Sequence, residues 1–372
     1  MHLENISLQN FRNYSRVELN FSSRINCIVG NNGVGKTNIL DAIHYLSLTK
    51  SFFNSIDSQN IKYDKDFFTI EGWFVRENRT EHVFCGLKKN KKKQFKRNKK
   101  EYGRLADHIG LLPVVMISPA DSSLITEGSD ERRRFINTII SLYDKPYLDD
   151  LINYNHALVQ RNRLLKDFVK LNRFEHESVE LWDEQLIPLG ERIHKKRVDC
   201  INRLLPIFQT YYSSIAMDKE RVELTYYSHL NNGSFRNLLL NALQKDRVLQ
   251  YTTVGIHKDD LVLDLDGYPI KRVGSQGQQK TYLLALKLAK FEFIKKVVGF
   301  DPILLMDDIF DKFDKERVKQ IIQLVADQNF GQIFFTDTHQ DRLETILSGL
   351  AIDYKLFTIN EKIIEIGHSY TN

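Results

Sequence analysis

The run Gly30-Asn31-Asn32-Gly33-Val34-Gly35-Lys36-Thr37 places three glycines, a lysine and a hydroxyl at the spacing of a phosphate-binding loop. Glycine lets the main chain approach an anion closely and turn its N–H groups toward it. Lys36 would neutralise the β- and γ-phosphates of ATP, and the Thr37 hydroxyl would ligate Mg²⁺. A second feature is Asp307-Asp308, directly after the apolar stretch ILLM. Acids at the carboxyl end of a buried strand sit where parallel α/β sheets bind ligands, although strands also end in acids for no chemical reason. In the chemical reading Asp307 joins the Mg²⁺ shell and Asp308 orients or deprotonates an attacking water. A third is Ser275-Gln276-Gly277-Gln278, at the start of a long amphipathic segment. Ser275 suits an N-cap and Gly277 leaves room for an anion, but a capped surface helix would use the same residues.

The elements around these residues follow from their periodicity. Residues 3–8 and 17–29 cluster apolar side chains as strands do, and the second run leads straight into the glycine loop. Ile39, Leu40, Ile43 and Leu46 then recur at helical spacing, completing a strand, loop and helix. More short strands are expected over 67–87 and at VVMIS, 114–118. Helical spacing dominates 130–214, with turns expected near Pro146, Pro188 and Pro206. Strands follow at 222–227, 261–265, 303–306 and 332–336, with a strand pair over 354–366; helices are expected over 278–298 and 315–328. The division predicted is an ATPase domain in two parts, 1–125 and 251–372, split by a helical insertion over 126–250.

Among the 372 residues the net charge is +5, but Lys88–Arg104 supplies +9 of it and the remainder is acidic. A basic run of this kind, with Lys88, Lys89, Lys91, Lys92, Lys93, Lys96 and Arg97, is either an electrostatic footprint for a polyanion or a solvated hairpin tip. Cys27, Cys85 and Cys200 are far apart in sequence and form no metal or redox pair, so they read as core residues. No apolar run reaches membrane-spanning length and the N-terminus lacks a leader pattern, which points to a cytoplasmic protein with no membrane partner.

The order of these motifs resembles that of ABC-type ATPases. NFRNY (10–14), GNNGVGKTNILDAI (30–43), SPAD (118–121), RRRF (132–135), TTVGIHKDDL (252–261), SQGQQK (275–280) and LLMDDIFDKFD (304–314) together look like the RecF family. That family comprises bacterial recombination mediators and DNA repair ATPases. The resemblance implies an α/β fold: a P-loop ABC-type ATPase head of mixed sheet and helices, with an inserted, mainly helical second lobe. It also implies a head-to-tail homodimer in which Ser275, Gln276, Gly277 and Gln278 of one copy close over ATP held by the other. Asp314 falls at the D-loop, and His339 falls where such ATPases carry a γ-phosphate sensor or, equally, a solvated loop histidine. Further implications are weak ATP hydrolysis as a switch, binding to gapped or junction DNA on the nucleoid, the SOS response, RecA loading, and cooperation with RecR and RecO. Asp41, Phe53, Ile256 and Lys258 depart from the usual pattern. The competing readings are an ABC transporter's nucleotide-binding subunit and another SMC-like DNA-organising ATPase. The transporter subunit would not need the basic run or the G-x-H-K-D-D element. The SMC-type protein would carry a far longer coiled-coil insertion.

Overall fold

The computed structural model describes residues 1–77, 79–216, 220–308, 330–339 and 354–360, the backbone of 363–367, and isolated residues between 318 and 324. The chain forms two compact units, Met1–Asp121 with Lys290–Asn372, and Ser122–Ala289. Unit 1 opens with β1 (His2–Phe11), β2 (Tyr14–Asn20), β3 (Ile25–Val29), α1 (Lys36–Leu48), β4 (Phe67–Arg76), β5 (Arg79–Lys88), β6 (Gln94–Arg97), β7 (Lys100–Glu101) and β8 (Val114–Ile117). Unit 2 contributes α2 (Ser123–Thr126), α3 (Ser129–Ser141), α4 (Lys145–Lys170), α5 (His176–Ala216), β9 (Val222–Tyr227), α6 (Phe235–Leu249), β10 (Asp260–Leu265), β11 (Tyr268–Pro269) and α7 (Ile270–Val273). α8 (Gln276–Val298) begins in unit 2 and ends in unit 1, which then adds β12 (Ile303–Met306), β13 (Ile333–Asp337), β14 (Tyr354–Asn360) and β15 (Ile363–Gly367).

Unit 1 stacks an antiparallel sheet, β2-β1-β4-β5-β6-β7, and a mainly parallel sheet, β15-β14-β3-β13-β12-β8, around α1. The strands of the first sheet alternate, burying Leu3, Ile6 and Leu8 of β1 and Phe68, Ile70 and Phe74 of β4. That leaves the opposite face polar, as expected of a sheet packed on one side only. In the second sheet every residue of β3, β8, β12 and β13 is buried, the signature of strands covered on both faces. The expected single run over 17–29 is two strands in different sheets. Asn26 breaks it by accepting from the Ser22 amide at 2.8 Å and donating to the Ser22 carbonyl at 2.8 Å.

Unit 2 packs α3–α6 with a small sheet, β11-β10-β9. The expected turns at Pro188 and Pro206 do not form: both prolines lie inside the 41-residue α5. A buried stripe through Leu186, Ile193, Cys200, Leu204 and Phe208 continues past both positions. Its burial, at about 1.5–3 kcal/mol per large apolar side chain, offsets the roughly 3 kcal/mol that an interior proline costs. Pro146, by contrast, sits in the first turn of α4, where its missing N–H is harmless. The second unit ends at Ala289, not near 250, because β10 pairs with β9 over six residues and draws the Ser275 segment into unit 2. The helix α6 had no counterpart in the sequence reading. All three cysteines are buried. Among the described residues no helix is long and apolar enough to cross a membrane.

One buried titratable group ties α1 to its surroundings. His108 Nε2 donates to the Leu46 carbonyl at 2.6 Å, and its Nδ1 accepts from the Tyr102 hydroxyl at 3.1 Å. Burial holds this imidazole neutral, depressing its pKa to about 4. The stabilisation is complete above the unfolded value near 6.5 and is lost as pH falls toward 4, at up to about 3 kcal/mol. Urea melts at pH 7 and pH 5 should therefore show a smaller acid-induced loss for His108→Gln, which keeps a donor and an acceptor, than for the parent chain. Equal losses would mean that His108 is protonated in the folded state.

Candidate functional site

The loop between β3 and α1 is shaped by positive φ at Gly30 (154°) and Gly35 (114°). A Cβ at Gly30 would lie 2.6 Å from the Ile359 carbonyl oxygen, so only glycine fits there. At Gly35 a Cβ would collide with the Asn13 amide and the Tyr14 hydroxyl. Asn13 lies in the β1–β2 turn and Tyr14 begins β2, and both belong to the loop's support. Asn13 donates to the Val34 carbonyl at 2.7 Å and accepts from the Asn38 amide at 2.8 Å, while Tyr14 donates to the Gly35 carbonyl at 3.1 Å. Neighbouring Arg12 pairs with the buried Asp41 of α1 at 2.7 Å. Asp41 also accepts from the Ser51 hydroxyl at 2.8 Å and the Phe52 amide at 2.7 Å. This departure from the family pattern thus has a fully built environment. Asn31, Asn32 and Gly33 are exposed, while Val34 is half-buried.

Lys36 is buried, and its Nζ donates to the carbonyls of Gly30 at 2.8 Å and Asn31 at 3.2 Å. It lies 3.8 Å from Asp308 Oδ1. The Thr37 hydroxyl donates to Asp307 at 2.9 Å, joining two motifs 270 residues apart. Parallel pairing creates this meeting: β12 lies between β13 and β8, and β13 lies beside β3, so the strand ends carrying Asp307 and the loop face the same way. Thr336, at the end of β13, donates to Asp307 Oδ1 at 2.8 Å and accepts from the Asp308 amide at 2.8 Å. Its position one strand over from the acid pair is the signal that sequence periodicity alone could not convey. Burial pushes the Asp307 carboxyl up to about 6, against the hydrogen bonds from Thr336 and Thr37; the charge of Asp308 adds to the rise. A hydroxyl and a carboxylate so placed are the hard oxygen donors that Mg²⁺ takes, and a cation there would favour the ionised Asp307. Asp308 holds φ of 42°, a left-handed conformation unusual outside glycine and common at functional sites. His339 is exposed, with its backbone amide bonded to Asp337 Oδ1 at 2.9 Å. Asp314 lies outside the described residues.

In unit 2, Ser275 and Gln278 form a capping box. The Gln278 amide donates to Ser275 Oγ at 3.2 Å and the Ser275 amide donates to Gln278 Oε1 at 2.6 Å. Gln278 Nε2 additionally donates to Glu220 at 2.6 Å, so this side chain is committed within its own chain. Ser275 and Gln276 remain exposed, and Gly277 is half-buried.

The G-x-H-K-D-D element is architectural. Buried Asp259 accepts from Arg197 Nη1 at 2.8 Å and from the Tyr226 hydroxyl, and Arg197 also reaches the Ile256 carbonyl at 2.8 Å and Asn137 at 2.9 Å. Asp260 receives a two-point bond from Arg132 at 2.6 and 2.9 Å. His257 donates to the Thr252 carbonyl at 3.0 Å and accepts from Tyr154, and burial depresses its pKa to about 4. These bonds tie α3, α4, α5 and β9 to the segment ahead of β10.

The basic run forms the β5–β6 turn and the β6–β7 hairpin at one edge of the antiparallel sheet. Lys88, Lys89, Lys91 and Lys92 are exposed. Lys93 is not available to a ligand: its Nζ donates to the Thr49 carbonyl at 2.6 Å, Asp57 at 2.7 Å and Tyr45 at 3.2 Å, closing the end of α1. Arg97 is held by Glu81 at 2.8 and 2.6 Å, and Lys96 lies over the Phe84 ring.

Because Arg197→Met would strand the buried Asp259 without its counter-charge, it should cost about 3–5 kcal/mol in urea unfolding. A loss under about 1 kcal/mol would show that the Tyr226 hydroxyl alone satisfies the carboxylate.

The RecF/RecN/SMC N-terminal domain family matches residues 2–354. The chain is 53% identical over 365 residues to the DNA replication and repair protein RecF of Bacteroides fragilis (strain YCH46), covering 98% of each chain. A solved structure of the recombination mediator protein RecF with ATP, in the RecFOR pathway, superposes with a TM-score of 0.88 at 30% identity, covering 99% of this chain and 98% of that one. An SMC head bound to the C-terminal winged-helix domain of ScpA shares the fold, with a TM-score of 0.58 at 16% identity.

Proposed function

Since the chain belongs to the RecF family, whose curated relatives are DNA replication and repair proteins, we propose that it is an ATP-operated clamp on DNA. The carrying observation is the junction of Thr37 with Asp307 beside Lys36 and Asp308. Lys36 would exchange its carbonyl partners for the β- and γ-phosphates of ATP, and the backbone of Gly30–Gly35 would wrap them. Thr37 and Asp307 would hold Mg²⁺, which supplies charge neutralisation at the phosphates when bound. Asp308, partly exposed and anchored through its amide to Thr336, is placed to orient a water and take its proton. His339 is a second candidate contact to the γ-phosphate.

The remaining donors come from a second copy. Ser275, Gln276 and Gly277 present the exposed start of α8, and a helix start attracts a phosphate through its N–H groups. Gln278 would act by holding that start in shape, or would have to leave Glu220 to touch the nucleotide. Asp314 belongs to the same interface in this reading. ATP then favours a homodimer, hydrolysis releases it, and turnover is slow and stimulated by DNA. Lys88, Lys89, Lys91 and Lys92 are the proposed phosphate contacts, with Lys96 and Arg97 at the margin. Gapped or junction DNA on the nucleoid, RecA loading, the SOS response, and partnership with RecR and RecO extend the reading through its relatives.

Three substitutions separate the roles. Lys36→Ala should abolish ATP binding; Asp308→Asn should bind ATP but lose hydrolysis; Ser275→Arg should bind ATP yet stay monomeric in light scattering. A Ser275→Arg chain that dimerises with ATP would overturn the shared site. For the basic run, Lys91→Glu with Lys92→Glu should weaken duplex binding and reduce its salt slope by about 2, one for each lost contact. Unaltered affinity and slope would return the run to a solvated surface.

A further inference from the structure

The polar outer face of the antiparallel sheet has a shape and composition that the clamp reading leaves unused. Side chains pointing away from α1 on three strands line a groove of about 410 Å³, among them Asn5, Ser7 and Gln9 of β1, Arg16 of β2, and Glu71 and Trp73 of β4. Strand register continues the rows onto β5 and β6. Asn5 stands opposite Trp73, which stands opposite His82; Ser7 stands opposite Glu71, then Phe84, then Lys96. The Trp73 and His82 rings lie 4.7 Å apart at 33°, and Lys96 Nζ is 5.5 Å from the Phe84 centroid. Two acids in the groove already face donors on the same sheet: Glu71 is 3.0 Å from His82 Nε2, and Glu18 is 2.8 Å from Arg16. Beyond β5 the row of Ser7, Glu71, Phe84 and Lys96 ends on Glu101, and Lys88, on the same face opposite Phe67, leads to the exposed lysines of the β5–β6 turn, Lys89, Lys91 and Lys92.

We propose that this face binds single-stranded nucleic acid, with bases on Trp73 and Phe84, base edges meeting the Asn5 and Gln9 amides, and phosphates toward the lysine edge. Half-buried aromatic rings on an open sheet offer flat surfaces that only unstacked bases can reach, and stacking of this kind tolerates any sequence. A stacked duplex presents phosphates there instead of ring faces. A peptide would add to the sheet edge or seek apolar pockets, and this lining is mainly amide, hydroxyl and charged groups. The inference rests on the DNA-binding reading above and gives it a second, single-strand-specific surface.

The chain has two tryptophans, Trp73 and Trp182, so a Trp182→Phe background makes emission report on the groove alone. Titration with single-stranded oligothymidylate of about 15 nucleotides should quench Trp73. Trp73→Ala should lower affinity for that strand about tenfold while leaving duplex affinity and both salt slopes unchanged, since no phosphate contact is removed. Trp73→Phe, which keeps a stacking ring and guards against a folding defect in the alanine variant, should retain most of the affinity. Absence of quenching, or equal weakening of single strand and duplex by Trp73→Ala, overturns the proposal. The Lys91→Glu, Lys92→Glu chain is the independent control. If it loses DNA while Trp73→Ala binds oligothymidylate normally, the groove assignment fails and the DNA reading stands; if neither variant changes binding, both fail.

Discussion

Unit 1 is organised around a helix with no solvent face. From Ile39 to Leu48 every residue of α1 is buried, between a sheet that is covered on one side and a sheet that is covered on both. Burial on all sides suits apolar residues, at about 1.5–3 kcal/mol for each of Ile39, Leu40, Ile43 and Leu46, but it leaves every polar group on the helix in need of a partner. Asp41 has Arg12, Ser47 donates to the Leu112 carbonyl, the Leu46 carbonyl has His108, and the far end of the helix has Lys93. These bonds hold the N-terminus of α1, and with it Lys36 and Thr37, at one position against the ends of β12 and β13. Gly72 in β4 leaves the space that Leu46 fills, since a Cβ there would come within 2.6 Å of Leu46 Cδ1.

The proposed phosphate site is electrostatically tight. Two carboxylates and one ammonium group sit close together in partial burial, and the proton affinity of Asp307 is raised mainly by that burial, with the Asp308 charge adding to it and Lys36 opposing it. Thr336 moderates it by donating to one acid and accepting from the backbone of the other. Such a site gains from any ligand set that brings both an anion for Lys36 and a cation for the acids, as a metal–nucleotide pair does.

Much of this was legible before any coordinates, for reasons that differ by element. The glycine loop and the acid pair are local patterns whose chemistry depends on neighbours in sequence, so reading them needed no fold. The two-sheet arrangement was not legible, because strand periodicity says which face is buried and not which sheet a strand joins; β2 and β3 merged for that reason. Pro188 and Pro206 misled because local backbone preference lost to a stripe of packing across the whole of α5. The lysine run was read as one feature, yet burial divides it: Lys93 faces inward to α1 while Lys91 and Lys92 face water. G-x-H-K-D-D entered only as a mark of the family resemblance, and its role as internal bracing needed Arg197, which arrives from about 60 residues away.

The three buried thiols have a meaning outside folding. Cys27 sits three residues before the glycine loop, where an added oxygen or a mixed disulfide would not fit in the fully buried β3. Burial raises all three thiols, pushing Cys200 up to about 12 and the other two beyond it, so almost no reactive thiolate exists near neutrality. Peroxide consumes thiolates, not protonated sulfur shielded from solvent. Oxidants that spend exposed cysteines elsewhere would thus leave these three thiols reduced.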